Sequence, residues 1–385
     1  MPTNPTTSRF LVAITALGVG LLVIAPSLVA ADPVTTPIGW QPISAAAGPS
    51  ARSHAAVAFD PATGTTVLFG GRSGSTVLGD TWTWDGKGWT LQKPSASPPR
   101  LQSASMVYDD ATQQLLLVGG LTDRGAPSGA TWVWSNQTWQ QLALLTNPPA
   151  RFDASFVYDP LTRTAVLFGG MQFGGRPLND TWQWNGLGWS FASPGESPPA
   201  RAGAGTAFDA IHGVVVVFGG TTGSQLLADT WTWDGAVWTQ HNSAVVPAPR
   251  LDPAMAFNAP NGTTVLFGGA AGGGVPMDDT WRWDGTNWSR ADLTTASPAG
   301  RSGATFAGMP GVESLVLFGG AELNGTVASD MWLLGLLPTA VTQPSSTSTL
   351  PSPIPGNGSA ASSVATPETS VPQALGTTPS PPASA

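Results

Sequence analysis

A Gly-Gly doublet closes an apolar, strand-like run six times along this chain, at Gly70-Gly71, Gly119-Gly120, Gly169-Gly170, Gly219-Gly220, Gly268-Gly269 and Gly319-Gly320. The steps between copies are 49, 50, 50, 49 and 51 residues. A period near 50 made of short strands marks radial repetition, in which each unit covers its apolar faces with its two neighbours. The expected fold is all-β: a six-bladed β-propeller of four-stranded antiparallel blades.

The copy from Arg52 to Leu91 shows one blade. Ser53 to Phe59 reads as the first strand, followed by the turn Asp60-Pro61-Ala62-Thr63-Gly64, with Pro presetting φ and Gly accepting a positive one. Thr65 to Phe69 is the second strand. It is apolar at Val67, Leu68 and Phe69, as a strand buried on both faces must be. Asp80 to Trp84 is the third strand, Asp85-Gly86 opens a hairpin, and Trp89 to Gln92 is the fourth. All 17 Trp fall on equivalent repeat positions, two in the third strand and one in the fourth, which assigns them to packing.

The sixth copy stops at Asp330-Met331-Trp332-Leu333-Leu334 without a fourth strand. Ile38-Gly39-Trp40-Gln41-Pro42-Ile43 has the missing strand's pattern, Trp included. The N-terminal segment is therefore expected to complete the last blade and close the ring, removing an exposed edge.

Composition bounds the chemistry. With no Cys, thiolate ligands, disulfides and cysteine nucleophiles are excluded. Only 10% of residues are charged and acids exceed bases by 23 to 15, which excludes the basic footprint of a nucleic-acid binder. The bases are thirteen Arg and two Lys, a bias that fits a GC-rich bacterial genome. Residues 1–31 have the order of a signal peptide: Arg9, an apolar run from Phe10 to Ala25, then small residues at Val29, Ala30 and Ala31. The alternative is an uncleaved membrane anchor, and both readings place the remainder in a secreted or cell-envelope location. The propeller is assigned to residues 38–337. Residues 338–385 are rich in Pro, Ser, Thr and Ala and are expected to be a disordered tail, either a glycosylated wall-spanning segment or a solvated end.

The unit VLFGG followed by DTWxWDGxxW resembles the Kelch repeat, in the bacterial exported form similar to the central domain of galactose oxidase. The likeness runs from about residue 38 to 337. It implies a propeller used mostly as a binding scaffold and occasionally as an enzyme. The copper chemistry of galactose oxidase does not carry over, because its Cys–Tyr cross-link needs a Cys that this chain lacks.

No catalytic residue, metal ligand set or cofactor motif stands out. His54, His212 and His241 have no second His at ligand spacing and read as surface or packing residues. One Arg recurs at the head of each copy: Arg52, Arg100, Arg151, Arg201, Arg250 and Arg301. An Asp recurs at the head of the third strand, at Asp80, Asp180, Asp229, Asp279 and Asp330, with Ala130 in the second copy. Either these Arg and Asp pair across strands, or the Arg form a positive ring at one channel mouth for an anionic ligand. Ala130 leaves Arg100 without its Asp, with Asp123 as a candidate substitute.

The loops after the doublets differ between copies and share one face, where a rigid scaffold would carry a binding surface. Its chemically richest residues, with Arg100, are Arg72, Asp123, Arg124, Phe173, Arg176, Asp278 and Glu322. The leading expectation is an exported binding scaffold for a protein or glycan of the cell envelope, with membrane contact only if the N-terminal segment is retained. The alternatives are a propeller enzyme acting on a sugar, of epimerase or lyase type, and a structural spacer.

Overall fold

The computed structural model describes residues 38–336 apart from 45–46, 292, 294–295 and 310–311. The signal-peptide and tail assignments lie outside the described residues. Six four-stranded antiparallel sheets follow one another around a channel. In the first blade the strands are Ala56–Asp60, Thr65–Phe69, Thr81–Trp84 and Trp89–Leu91, paired in chain order from the channel outward. Blades two to five repeat this order. No described helix is long and apolar enough to cross a membrane.

The sixth blade is completed as expected. Ile38–Ile43 pairs antiparallel with Met331–Leu336, with Trp40 opposite Leu334. This joint copies the others. The fourth-strand Trp139, Trp189, Trp238 and Trp288 each donate an indole N–H to a third-strand Thr of the preceding blade, Thr81, Thr131, Thr181 and Thr230, at 2.8–3.0 Å. Trp40 donates in the same way to Thr280 at 3.1 Å and meets Phe267 edge-on at 5.0 Å. The core thus lies between blades: Val67, Leu117, Leu167, Val217, Val265 and Leu317, all from second strands, are at most 1% exposed. Burying one Trp removes about 150–250 Å² from water, an upper estimate of roughly 4–6 kcal/mol.

The doublet has a steric reason. Gly169 and Gly170 have φ of 64° and 95°, and a Cβ on Gly169 would stand 2.6 Å from the Arg201 carbonyl oxygen of the next blade. Only glycine accepts both the conformation and the approach.

First strands begin later than the sequence pattern suggests, at Ala56 rather than Ser53, because His54 adopts a left-handed conformation, φ 55°. A left-handed residue stands at the same point of all six blades and shapes the channel mouth, although in the second blade the strand Leu101–Asp109 runs through it.

Candidate functional site: two rings at one channel mouth

The outer ring is made of Arg–Asp pairs. Arg52, Arg151, Arg201, Arg250 and Arg301 are about 1% exposed or less. Arg151 shows the pattern: Nε donates to the Pro149 carbonyl, Nη1 to the Gly169 carbonyl and to Asp180 Oδ1, and Nη2 to Asp180 Oδ2, all at 2.7–2.9 Å. One guanidinium thereby ties together the inter-blade loop, the end of the second strand and the start of the third. The partner Asp also accepts the indole N–H of the following Trp, as Asp80 does from Trp82 at 2.6 Å and Asp279 from Trp281 at 2.7 Å. Burial acts to raise these carboxyls, but the guanidinium hydrogen bonds, the indole N–H and the guanidinium charge outweigh it. Asp80, Asp229, Asp279 and Asp330 are held below the ordinary carboxylate value. Of the two readings of the Arg positions, pairing holds for these five, and they offer no free positive charge to a ligand.

Arg100 is not the sixth member, which corrects the sequence frame. The Gly71 N–H bonds to the carbonyl of Leu101, where Gly120, Gly170, Gly220, Gly269 and Gly320 bond to Arg151, Arg201, Arg250, Arg301 and Arg52. Leu101, 1% exposed, occupies the arginine position. Arg100 lies outside it, exposed, reaching only the Val77 carbonyl at 3.5 Å. Asp123 is exposed and makes no ion pair with it among the described residues. Leu101 and Ala130 therefore replace Arg and Asp together, an apolar substitute for a buried ion pair. The Trp132 indole N–H is left without an acceptor as a result.

The inner ring consists of the six left-handed residues His54, Ser103, Asp153, Gly203, Asp252 and Gly303, φ 50–64°. Each donates its backbone N–H to the carbonyl of the preceding member, from Ser103 to His54 through to His54 to Gly303, at 2.7–3.0 Å. The six bonds close a circle around the mouth. They bound a cavity of about 150 Å³, lined also by the small side chains Ala55, Ala104, Ala154, Ala204 and Ala304.

Three inner-ring side chains converge. His54 Nε2 lies 3.1 Å from Asp252 Oδ2, and its Nδ1 lies 3.0 Å from Ser53 Oγ. Asp153 joins them, so that one donor atom from each of the three falls within 4.8 Å of the others. The His54 and Asp252 side chains are 20% and 15% exposed. Burial works against charge on His54, but the Asp252 hydrogen bond and charge, with Asp153 adding and Arg72 opposing, raise its pKa to about 9. Asp153 is raised to about 7, by burial first and the Asp252 charge second. The residues group a His and two carboxylates that can exchange protons or hold a cation. Spacing along the chain did not single them out. The available signal was positional: each stands at the same point of its repeat, where two copies use Gly.

The loop residues surround this mouth. Arg72, Asp123, Arg124, Phe173, Arg176 and Asp278 are exposed, Phe173 at 81%. Arg72 folds back on its own loop, donating to the Gly74 carbonyl at 2.8 Å. Glu322 is not free, since it lies 3.2 Å from Arg301 Nη2 and is drawn into the outer ring. The bases of the loops bridge to the segments that carry the inner ring, as Arg72 does to Ser53 and Met171 to Phe152. The two features share one face.

Six blades of this repeat, closed in this way, define a six-bladed β-propeller that is similar to Kelch-repeat propellers. The Kelch-repeats domain model of KLHDC2/KLHL20/DRC7 matches residues 110–287. Among solved structures, one described as "Structure of YjhT" is similar with a TM-score of 0.58 and 16% identity, covering 74% of this chain and 95% of that one, a likeness of fold. No curated protein matches the sequence. Kelch propellers generally bind proteins, and the fold alone assigns no reaction.

Proposed function

We propose that this chain is an exported interaction scaffold of a bacterial cell envelope that recognises a protein or glycan through the loop face around its channel mouth. The observation that carries the reading is the contrast in build on that face. Six dissimilar loops, with Phe173, Arg124 and Arg176 exposed, stand on a base tied down by five Arg–Asp pairs whose guanidiniums are buried. Variable side chains on a rigid frame are what specific recognition requires. The charged, apolar, small-residue order of residues 1–31 supports export.

The test compares binding of the purified chain to cell-envelope preparations with that of two variants. R124S/F173S/R176S should lose binding. L161S/I211S, altering exposed residues in turns at the opposite ends of the strands, should retain it. Equal binding by all three proteins would contradict the loop-face reading.

The enzyme alternative changes its residues. The buried Arg are committed to Asp, whereas His54 and Asp153, raised to about 9 and about 7, favour acid–base chemistry at the inner ring. Screening sugars for turnover, with D153N as the control, separates this reading from the first.

A further inference from the structure

We propose that His54, Asp153 and Asp252 form a binding site for one divalent transition-metal ion of the zinc class, set across the channel mouth. The inference is independent of what the loop face recognises. Four observations carry it.

The first is the donor set. His54 Nε2 and a carboxylate oxygen from each Asp lie within 4.8 Å of one another. Zinc bonds of about 2.0–2.2 Å place tetrahedral ligands about 3.4 Å apart, a contraction within reach of side-chain torsions. The ligands come from blades one, three and five, so an ion would bridge alternate blades.

The second is that the ring is cut to let these groups meet. A Cβ on Gly303 would stand 2.6 Å from His54 Cε1 and 2.7 Å from Nε2. A Cβ on Gly203 would stand 2.5 Å from Asp252 Oδ1. The imidazole lies over one glycine and the carboxylate over the other, so the two side-chain-free members of the ring supply the space in which the other members converge. A side chain at Gly303 would displace the imidazole, and one at Gly203 would meet Leu251 Cδ1 as well as the Asp252 carboxylate.

The third is orientation. His54 Nδ1 is held by Ser53 Oγ at 3.0 Å, which turns Nε2 toward the carboxylates. An anchored second ring nitrogen is the usual support of a metal-bound histidine.

The fourth selects the metal. Calcium takes six to eight oxygen ligands, commonly including backbone carbonyls. Here the convergent donors are one imidazole nitrogen and two carboxylates. One imidazole and two carboxylates with an open side toward a cavity of about 150 Å³ suit a borderline ion with three protein ligands and free positions for water.

Cobalt(II), as a spectroscopic substitute for zinc, tests this on the full chain stripped with chelator. Titration should give visible d–d bands that saturate at one equivalent and are displaced by zinc. H54Q, D153N and D252N each remove one of three ligands and should weaken binding by more than the roughly 10–100-fold that loss of an outer-shell partner costs. D123N, on the same face, should bind as the parent does. G303A, which keeps all three donor residues but displaces the imidazole, should also weaken binding. Circular dichroism confirms that each variant is folded. The proposal is overturned if the folded parent chain shows no d–d bands, or if stoichiometric binding survives in both H54Q and D252N.

Discussion

The two rings at the channel mouth are built from neighbouring residues of the same repeat, yet they behave in opposite ways. The outer ring uses one solution five times, and every guanidinium is buried and bonded both to a Gly carbonyl and to its Asp. The inner ring has one backbone solution six times and four kinds of side chain: His54, Ser103, Asp153, Gly203, Asp252 and Gly303. Repetition marks what the propeller needs in order to stand. Variation at a repeat-equivalent position marks what this particular chain adds. The exception inside the outer ring obeys the same logic, because Leu101 and Ala130 change as a unit and leave no unpaired charge.

The largest expected effect is on the outer ring. Arg250→Ala strands the Asp279 carboxylate and the Ala248 and Gly268 carbonyls, and should cost about 3–5 kcal/mol in denaturant unfolding. Arg100→Ala should stay within about 0.5 kcal/mol. A large loss at Arg100 would put it back in the ring.

Next is the second blade. Leu101→Arg alone buries an unpaired guanidinium and should be strongly destabilising. Adding Ala130→Asp should recover a coupling of about 1–3 kcal/mol, since the new carboxylate also meets the orphaned Trp132 N–H. Additive effects in the double-mutant cycle would show that the two positions do not face each other.

The pH dependence of the two rings should differ in sign. The outer Asp carboxyls are lowered in the folded state, so their stabilisation is complete above the ordinary value of 3.8 and is lost as pH falls through the folded values. The gap between the parent and Arg250→Ala should therefore narrow in acid. Asp153 is raised to about 7, so the folded state binds its proton more tightly and stability falls as pH climbs from 3.8 through 7. Asp153→Asn should remove that fall. His54, raised from 6.5 to about 9, contributes stability that is complete below 6.5 and lost as pH rises through 9. His54→Gln should trail the parent below 6.5 and converge with it above 9. Melting curves in chelator across pH 3 to 10 check all three.

The fold was legible because each of its devices repeats. The doublets, the third-strand Trp pairs and the orphan strand around Trp40 all follow one period. The Arg–Asp pairs were legible for the same reason. Two features were not. In the second blade one extra residue separates Arg100 from Ser103, three positions instead of the two between Arg52 and His54, so matching by residue type put Arg100 in the place of Leu101. The inner ring escaped because His54, Asp153 and Asp252 are about a hundred residues apart and meet only when the ring closes. Local spacing rules for histidine ligands do not see such a cluster. Setting the six repeats in register does.

The division of labour between the rings can be tested by unfolding H54Q/D153N/D252N beside Arg250→Ala in chelator, followed by tryptophan fluorescence. The triple variant removes every charge of the inner cluster while keeping its shapes. It should unfold within about 1 kcal/mol of the parent, far above Arg250→Ala. A loss in the triple variant as large as that from Arg250→Ala would show that the inner cluster is part of the frame and contradict its assignment as a site.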